Sequence, residues 1–425
     1  GTFFQQLYNT ADAMIVGRFV GKEALAAVGG SSNQIINLII GFFVGVSSGA
    51  TVIIAQHYGS RKETELSHAL HTAIAFSTVS SIFLMGAGYF LAPALLSMMN
   101  TPESMMADSV TYLRIFFLGI LFTFIYNIGS SILRSVGDSK RPLYYLIVCC
   151  FFNIGLDLLF VLVFHMGIAG AAIATVLSQA VSAILVLLAL IRTSDIYKLH
   201  LRKVRFFEGS LSSILRIGIP AGLQAAMYSL SNIIIQTALN ALGTDTVAAW
   251  TSFGKMDAFC WMVISAFGIS ATTFVGQNYG AGKYDRVRKS VRVCLGMTLA
   301  SSITMSIFLM TAGKYLFHLF TSDPEVIRIG IQILNYMAPA YALFVFIEIY
   351  SGALRGIGDV IIPTIMTCCG VCVFRTLWVF LLVPKSPTIE TITLSYPISW
   401  GITAVLFIIY YYKKQKKLGM ENFDQ

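Results

Sequence analysis

Long apolar runs recur along this chain of 425 residues, and they constrain its fold more than any other feature. Each run extends over about 20 residues or more, which lets a helix cross a hydrocarbon core of ~30 Å. Hydrophobic residues make up 56% of the chain and charged residues only 12%, more apolar surface than a water-soluble protein could bury. The alternating segments of ~10 residues that are typical of membrane barrels are not visible. The sequence therefore predicts an all-α polytopic membrane protein.

Hydrophobic periodicity and loop residues predict twelve transmembrane helices. The chain begins inside the first of them, so we expect a short N-terminal segment to precede residue 1. The predicted spans are residues 1–20, 24–58, 66–98, 107–134, 142–165, 168–191, 211–241, 246–279, 287–319, 326–354, 361–383 and 393–412.

Basic residues are concentrated in the connections that follow every second span. These connections and the C-terminal tail hold 21 of the 29 Lys and Arg residues, whereas MNTPES, LGTDT and FTSDPE hold none. Such an asymmetry predicts that the basic loops and the C-terminus lie in the cytoplasm. Because the net charge of +9 is explained by topology, it does not predict a nucleic-acid partner.

The second half of the chain repeats motifs of the first half. AQHYGSRK at 55–62 matches GQNYGAGK at 276–283, and ILRSVGDSKRP at 132–142 matches ALRGIGDVIIP at 353–363. VGKEALAAV at 20–28 also matches LGTDTVAAW at 242–250, and all three pairs are 221 or 222 residues apart. The repeat predicts two homologous six-helix bundles in the same orientation around a central cavity, which is a transporter architecture. Its parts are an N-lobe (1–191), a cytoplasmic linker (192–210), a C-lobe (211–412) and a cytoplasmic tail (413–425).

These paired motifs, together with NTADAMIVGRFVG at 9–21, resemble the multidrug and toxic compound extrusion family, usually called MATE. The resemblance covers essentially the whole chain and is strongest to the prokaryotic branch that includes the DNA-damage-inducible protein F group. It implies a secondary antiporter of the plasma membrane, not an enzyme, that exports organic cations or amphipathic drugs in exchange for Na⁺ or H⁺. It further implies alternating access of two lobes, a monomer in the bilayer, and no cofactor besides the coupling ion.

The resemblance also implies a cation site in the N-lobe, formed by an acid in helix 1, an Asn and an Asp four residues apart in helix 5, and a Thr in helix 6. The matching residues are Asp12, Asn153, Asp157 and Thr175. Helix rise places Asp12 ~13 Å, and Asp157 and Thr175 ~12 Å, from the outer side, so they share one layer. Oxygen ligands suit Na⁺, and two adjacent acids disfavour double ionisation, so that a proton could replace the ion. The alternative is a structural role, in which both acids only pack against hydrogen-bond donors between helices.

The second half departs from this pattern, because Ile234 and Phe374 occupy the positions of Asp12 and Asn153. A charged cluster of Lys255, Asp257 and Arg375 is predicted at similar depth, either as internal ion pairing or as a second ion site. Glu348 is predicted to titrate or to pair with Arg355. Residues on the helices that line the cavity in this family are Gln6, Tyr8, Asn33, Gln224, Tyr228 and Asn232.

Two other functions remain open at this stage. One is a lipid-linked oligosaccharide flippase of the same wider superfamily, which would favour a strongly basic cavity rather than an acidic N-lobe. The other is a membrane enzyme acting on lipids. The six His residues are scattered near the ends of the spans, and no nucleophile elbow or phosphate-binding loop is visible.

Overall fold

The structure, a computed structural model, describes residues 2–29 and 31–417, without the side chains of residues 2, 6, 22, 26, 29 and 31. The described residues form helices and their connections, as the apolar runs predict. The helices are α1 (Thr2–Phe19), α2 (Lys22–Gly29), α3 (Ser31–Gly59), α4 (Glu63–Met98), α5 (Glu103–Leu118), α6 (Ile120–Ser135), α7 (Lys140–Asp157), α8 (Gly167–Arg192), α9 (Ser210–Asn240), α10 (Thr244–Gly280), α11 (Tyr284–His318), α12 (Pro324–Gly356), α13 (Ile361–Thr367), α14 (Phe374–Leu381) and α15 (Ile389–Lys417).

Two stretches of π-helix extend this list. Leu158–Val163 continues α7, and Cys368–Val373 joins α13 to α14. The predicted spans 142–165 and 361–383 therefore each contain a π-helical segment. A short 3₁₀ turn, Leu201–Lys203, lies in the connection between α8 and α9.

Most of these helices are long and apolar enough to span a membrane. Among the described residues nine helical stretches pass that criterion, counting α7 with the π-helix after it as one stretch and α13 to α14 as another. The pair of α5 and α6, bent by 50° at their junction, raises the number to ten. The other two predicted spans are α1 and α9, the first helices of the two repeats. They are less apolar because polar residues interrupt them, among them Asn9 and Asp12 in α1, and Gln224 and Asn232 in α9.

The chain divides into two compact units, with the boundary between Gly222 and Leu223. The boundary lies inside α9 rather than in the connection before it. The connection packs on the first unit: the N–H of Leu199 donates to the carbonyl of Leu190 at 2.9 Å, and Tyr197 is buried against Tyr58.

Glycines let the start of α9 approach α3 within the first unit. A methyl group at Gly49 would overlap the carbonyl oxygen of Ile214, and one at Gly218 would overlap that of Val46. Gly45 and Gly222 meet in the same way one turn further along. Small residues four apart on both helices permit such close backbone packing in membranes.

The second unit is built around α12. More than half of the apolar window of α12, 56%, is buried, and the helix packs against α10, α11 and α15. Its core includes Tyr341 and Phe344 of α12, Phe253 of α10 and Trp400 of α15, each almost fully buried.

Candidate cation site

Two acids from different helices meet in the interior of the first unit. Asp12 of α1 is 5% exposed and Asp157, at the end of α7, is fully buried. Their carboxyl groups are close enough to interact directly with each other. Ionised carboxylates only accept hydrogen bonds and repel each other, so a proton or a cation shared between the two groups would stabilise their approach.

An amide and a hydroxyl complete the same layer. Asn153, one turn before Asp157 on α7, is fully buried and donates from Nδ2 to Thr175 Oγ1 of α8 at 3.4 Å. The hydroxyl of Thr175 in turn donates to the carbonyl of Ala171 at 3.1 Å, so its oxygen acts as the acceptor toward Asn153. The structure therefore brings Asp12, Asn153, Asp157 and Thr175 together, as the depth argument predicts.

The layer is rich in acceptors and poor in donors. Asp12 Oδ1, Asn153 Oδ1 and both carboxyl oxygens of Asp157 are buried and accept no hydrogen bond from the described residues. Leaving a buried acceptor unsatisfied costs about 1–3 kcal/mol, and more if it is charged. Four such oxygens in one place fit a hard cation or a proton, and they disfavour the alternative in which both acids only pack against donors.

Two aromatic hydroxyl groups flank the acids. Tyr112 of α5 is buried and close enough to Asp12 and Asp157 to interact with both electrostatically, a position that no sequence motif indicates. Tyr8, one turn from Asp12, accepts a hydrogen bond from Gln179 Nε2 at 3.0 Å and lies in the core of the first unit.

The other residues predicted to line a substrate cavity are more accessible. Asn33 and Asn232 are exposed, and Gln224 and Tyr228 are half-buried. The side chain of Gln6 lies outside the described residues. A substrate role for these residues stays a prediction.

In the second unit, Asp257 is held by aromatic donors. Its Oδ2 accepts from Trp261 Nε1 at 2.9 Å, and its Oδ1 accepts from the hydroxyl of Tyr341. Lys255 is exposed, because two residues along a helix turn the side chain to another face. The ion pairing expected between Lys255 and Asp257 is therefore absent from the described structure.

Arg375 is buried among aromatic rings and not against a carboxylate. It is 2% exposed, its guanidinium carbon lies 3.8 Å from the ring centre of Tyr396, and its Nε donates to Ser399 Oγ at 3.1 Å. Its Nη2 has no hydrogen-bond partner among the described residues. Asp257 interacts with Arg375 electrostatically but forms no ion pair with it. The predicted cluster of Lys255, Asp257 and Arg375 is therefore wrong. Asp257 and Arg375 each lie among aromatic side chains, and Lys255 is exposed.

Glu348 of α12 packs against Gly268 of α10, where any larger residue would overlap its carboxyl group. Arg355, two turns further along the same helix, is its cationic neighbour. A titrating role for Glu348 stays a prediction.

A helical chain with two repeated bundles and buried acids in one of them has the organisation of a polytopic membrane transporter. Comparison with known proteins identifies the family. The chain belongs to the MatE family, whose model matches residues 1–159 and again residues 220–381. This is a family of transporters and not of enzymes, while the narrower branch expected from the sequence stays a prediction.

Named relatives agree with this membership. The chain is 31% identical to the probable multidrug resistance protein YpnP of Bacillus subtilis, over 84% of this chain and 80% of the relative. It is 25% identical to an FAD transporter of Shewanella oneidensis, over 82% of this chain and 77% of that protein. A solved structure of a MOP superfamily transporter from Pyrococcus furiosus has the same fold, with a TM-score of 0.91 at 22% identity, covering 99% of this chain and 94% of that one.

Proposed function

We propose that this chain is a monomeric antiporter of a prokaryotic plasma membrane that exports amphipathic or cationic compounds in exchange for Na⁺ or H⁺. The probable multidrug resistance relative supports the substrate class. One observation carries the ion coupling: four buried oxygens of Asp12, Asn153 and Asp157 lack donors among the described residues.

The coupling follows from how these groups are satisfied. With the cation or proton bound, the two carboxyl groups attract the shared charge and hold α1 against α7. Without it, two acids in one dry layer repel each other, and the layer must open to water. An ion that binds one state more tightly than the other shifts the equilibrium between them, and this difference in affinity drives the exchange. No cofactor besides this ion is needed.

The test is substrate movement in proteoliposomes under separately imposed Na⁺ and H⁺ gradients. We expect Asp12→Asn and Asp157→Asn each to abolish gradient-driven export of a cationic dye, because neither amide can be neutralised reversibly. Thr175→Ala should have a milder effect, since it removes one neutral oxygen. FAD is included among the tested substrates, because the Shewanella relative is named an FAD transporter.

Asp245→Asn is the matched control, because Asp245 is exposed in the first turn of α10. It should export dye at the wild-type rate. Export at that rate by either buried Asp variant, in protein that elutes as a folded species, would refute the assignment of the cation site.

A further inference from the structure

The connection between α8 and α9 folds back on the start of α4 and forms with it an open cavity of about 740 Å³. Two hydrogen bonds fix it there. The backbone N–H of His200 donates to His71 Nε2 at 3.0 Å, and that of Phe207 donates to Thr72 Oγ1 at 3.1 Å. Both acceptors are buried side chains of α4. The connection is therefore fixed against α4 and forms a defined wall of the cavity.

The cavity is lined with more positive than negative side chains. Its two acids are Glu63 and Asp195, and its cations are Lys198, Arg202, Lys203 and Arg205. Among the described residues none of these four cations forms an ion pair, and all four are exposed. Guanidinium and ammonium groups held close together are the usual ligands of phosphate.

An aromatic side chain organises the basic groups. The ring of Phe207 stacks on His68 with 4.0 Å between ring centres, and the guanidinium of Arg205 lies 4.8 Å from the centre of the same ring. This stacking orients the exposed Arg205 along the cavity wall. Ser67, Thr64 and His68 of α4 add further polar groups to the lining.

Apolar side chains of the same connection indicate where the ligand comes from. Leu201 is 62% exposed and Phe206 is 45% exposed, and both lie among the basic residues in sequence. In water such exposure is unfavourable, but at the bilayer boundary these side chains can enter the acyl region while the cations stay at headgroup depth.

We propose that this cavity binds the phosphate headgroup of an anionic phospholipid, with Arg202, Lys203 and Arg205 as its main cationic contacts. The bound lipid ties the connection to the bilayer. The site lies apart from the acid layer of Asp12 and Asp157 and does not depend on the proposed export activity.

The experiment measures the thermal unfolding midpoint of the detergent-purified protein during titration with phosphatidylglycerol or phosphatidylcholine, and native mass spectrometry counts bound lipid. Phosphatidylglycerol should raise the midpoint and phosphatidylcholine should not. The triple variant Arg202→Gln, Lys203→Gln and Arg205→Gln should bind phosphatidylglycerol more weakly, by about fivefold for each cation and so by about a hundredfold in total. High salt should weaken binding to the wild type.

The matched control is Lys283→Gln, Arg286→Gln and Lys289→Gln, three exposed cations at the start of α11, the repeat counterpart of α4. It removes the same charge and should bind lipid as the wild type does. Equal affinity of both triple variants for phosphatidylglycerol would overturn the proposal. Inorganic phosphate or glycerol 3-phosphate stabilising the wild type as well as the lipid does would overturn the assignment to lipid. Should the triple variant not fold, Arg202→Gln and Arg205→Gln are measured singly, and each must weaken binding about fivefold.

Discussion

Single residues in the second unit show how a buried charge is kept without an ion pair. Asp257 accepts hydrogen bonds from Tyr341 and Trp261, and Arg375 lies against the ring of Tyr396. Neutral donors satisfy the carboxylate, and ring faces attract the guanidinium. Each side chain therefore has aromatic neighbours of its own, although the two groups also interact electrostatically.

This arrangement predicts a stability effect at Asp257. Asp257→Leu should lower the free energy of unfolding by about 1–3 kcal/mol for each donor left unsatisfied, that of Tyr341 and that of Trp261. Differential scanning fluorimetry of the purified protein measures the shift. Lys255→Leu, two residues away and exposed, is the control and should melt close to the wild type. Equal melting temperatures for the two variants would contradict the role given to the aromatic donors.

The same residues show what sequence could and could not predict. Helix rise and the i, i+4 relation are local rules, so they placed Asp12, Asn153 and Asp157 at one depth, and the structure brings these side chains together. Depth does not give the direction in which a side chain points. For that reason Lys255 was expected beside Asp257 although it lies on another face of α10. Tyr112 was missed because an aromatic residue in an apolar helix carries no signal of its neighbours.

At the level of helices, the crossing of α3 and the start of α9 depends on glycine. A side chain at Gly49 would meet the backbone of Ile214, which cannot rotate away as a side-chain tip could. Gly41, two turns earlier on α3, has open space around it. Gly49 is therefore the test position for a substitution, and Gly41 on the same helix is its control.

We expect Gly49→Ala to lower the free energy of unfolding by about 1–3 kcal/mol, because α3 and α9 must move apart. Gly41→Ala should be neutral or slightly stabilising, since alanine favours a helix over glycine by about 0.5–1 kcal/mol. Thermal unfolding of both variants in the same detergent makes the comparison. A Gly49→Ala protein that melts no lower than Gly41→Ala would show that the helices do not cross this closely.

Helix boundaries were predictable mainly where the apolar pattern is continuous. The runs that became α3, α4, α8 and α10 to α12 were recognisable from length and hydropathy. The bend between α5 and α6 and the π-helical turns after Asp157 and before Phe374 were not, because length and hydropathy carry no information about local helix geometry. π-Helical turns are frequent at functional sites, and the first of them directly follows Asp157.

For the molecule as a whole, the distribution of basic residues makes a prediction about orientation in the membrane. Single cysteines are introduced after the seven native ones are replaced, and five of those seven are buried. Ser104 and Thr244, at the starts of α5 and α10, and Ser386, in the connection before α15, are exposed in regions poor in Lys and Arg. Ser139 and Lys416 are exposed on the basic side. Because cytoplasmic loops retain Lys and Arg, cysteines at the first three positions should react with an impermeant maleimide added to intact cells. Those at Ser139 and Lys416 should react only after the membrane is permeabilised. The opposite labelling pattern would invert the chain and place the basic cavity between α4 and the α8–α9 connection on the outer surface.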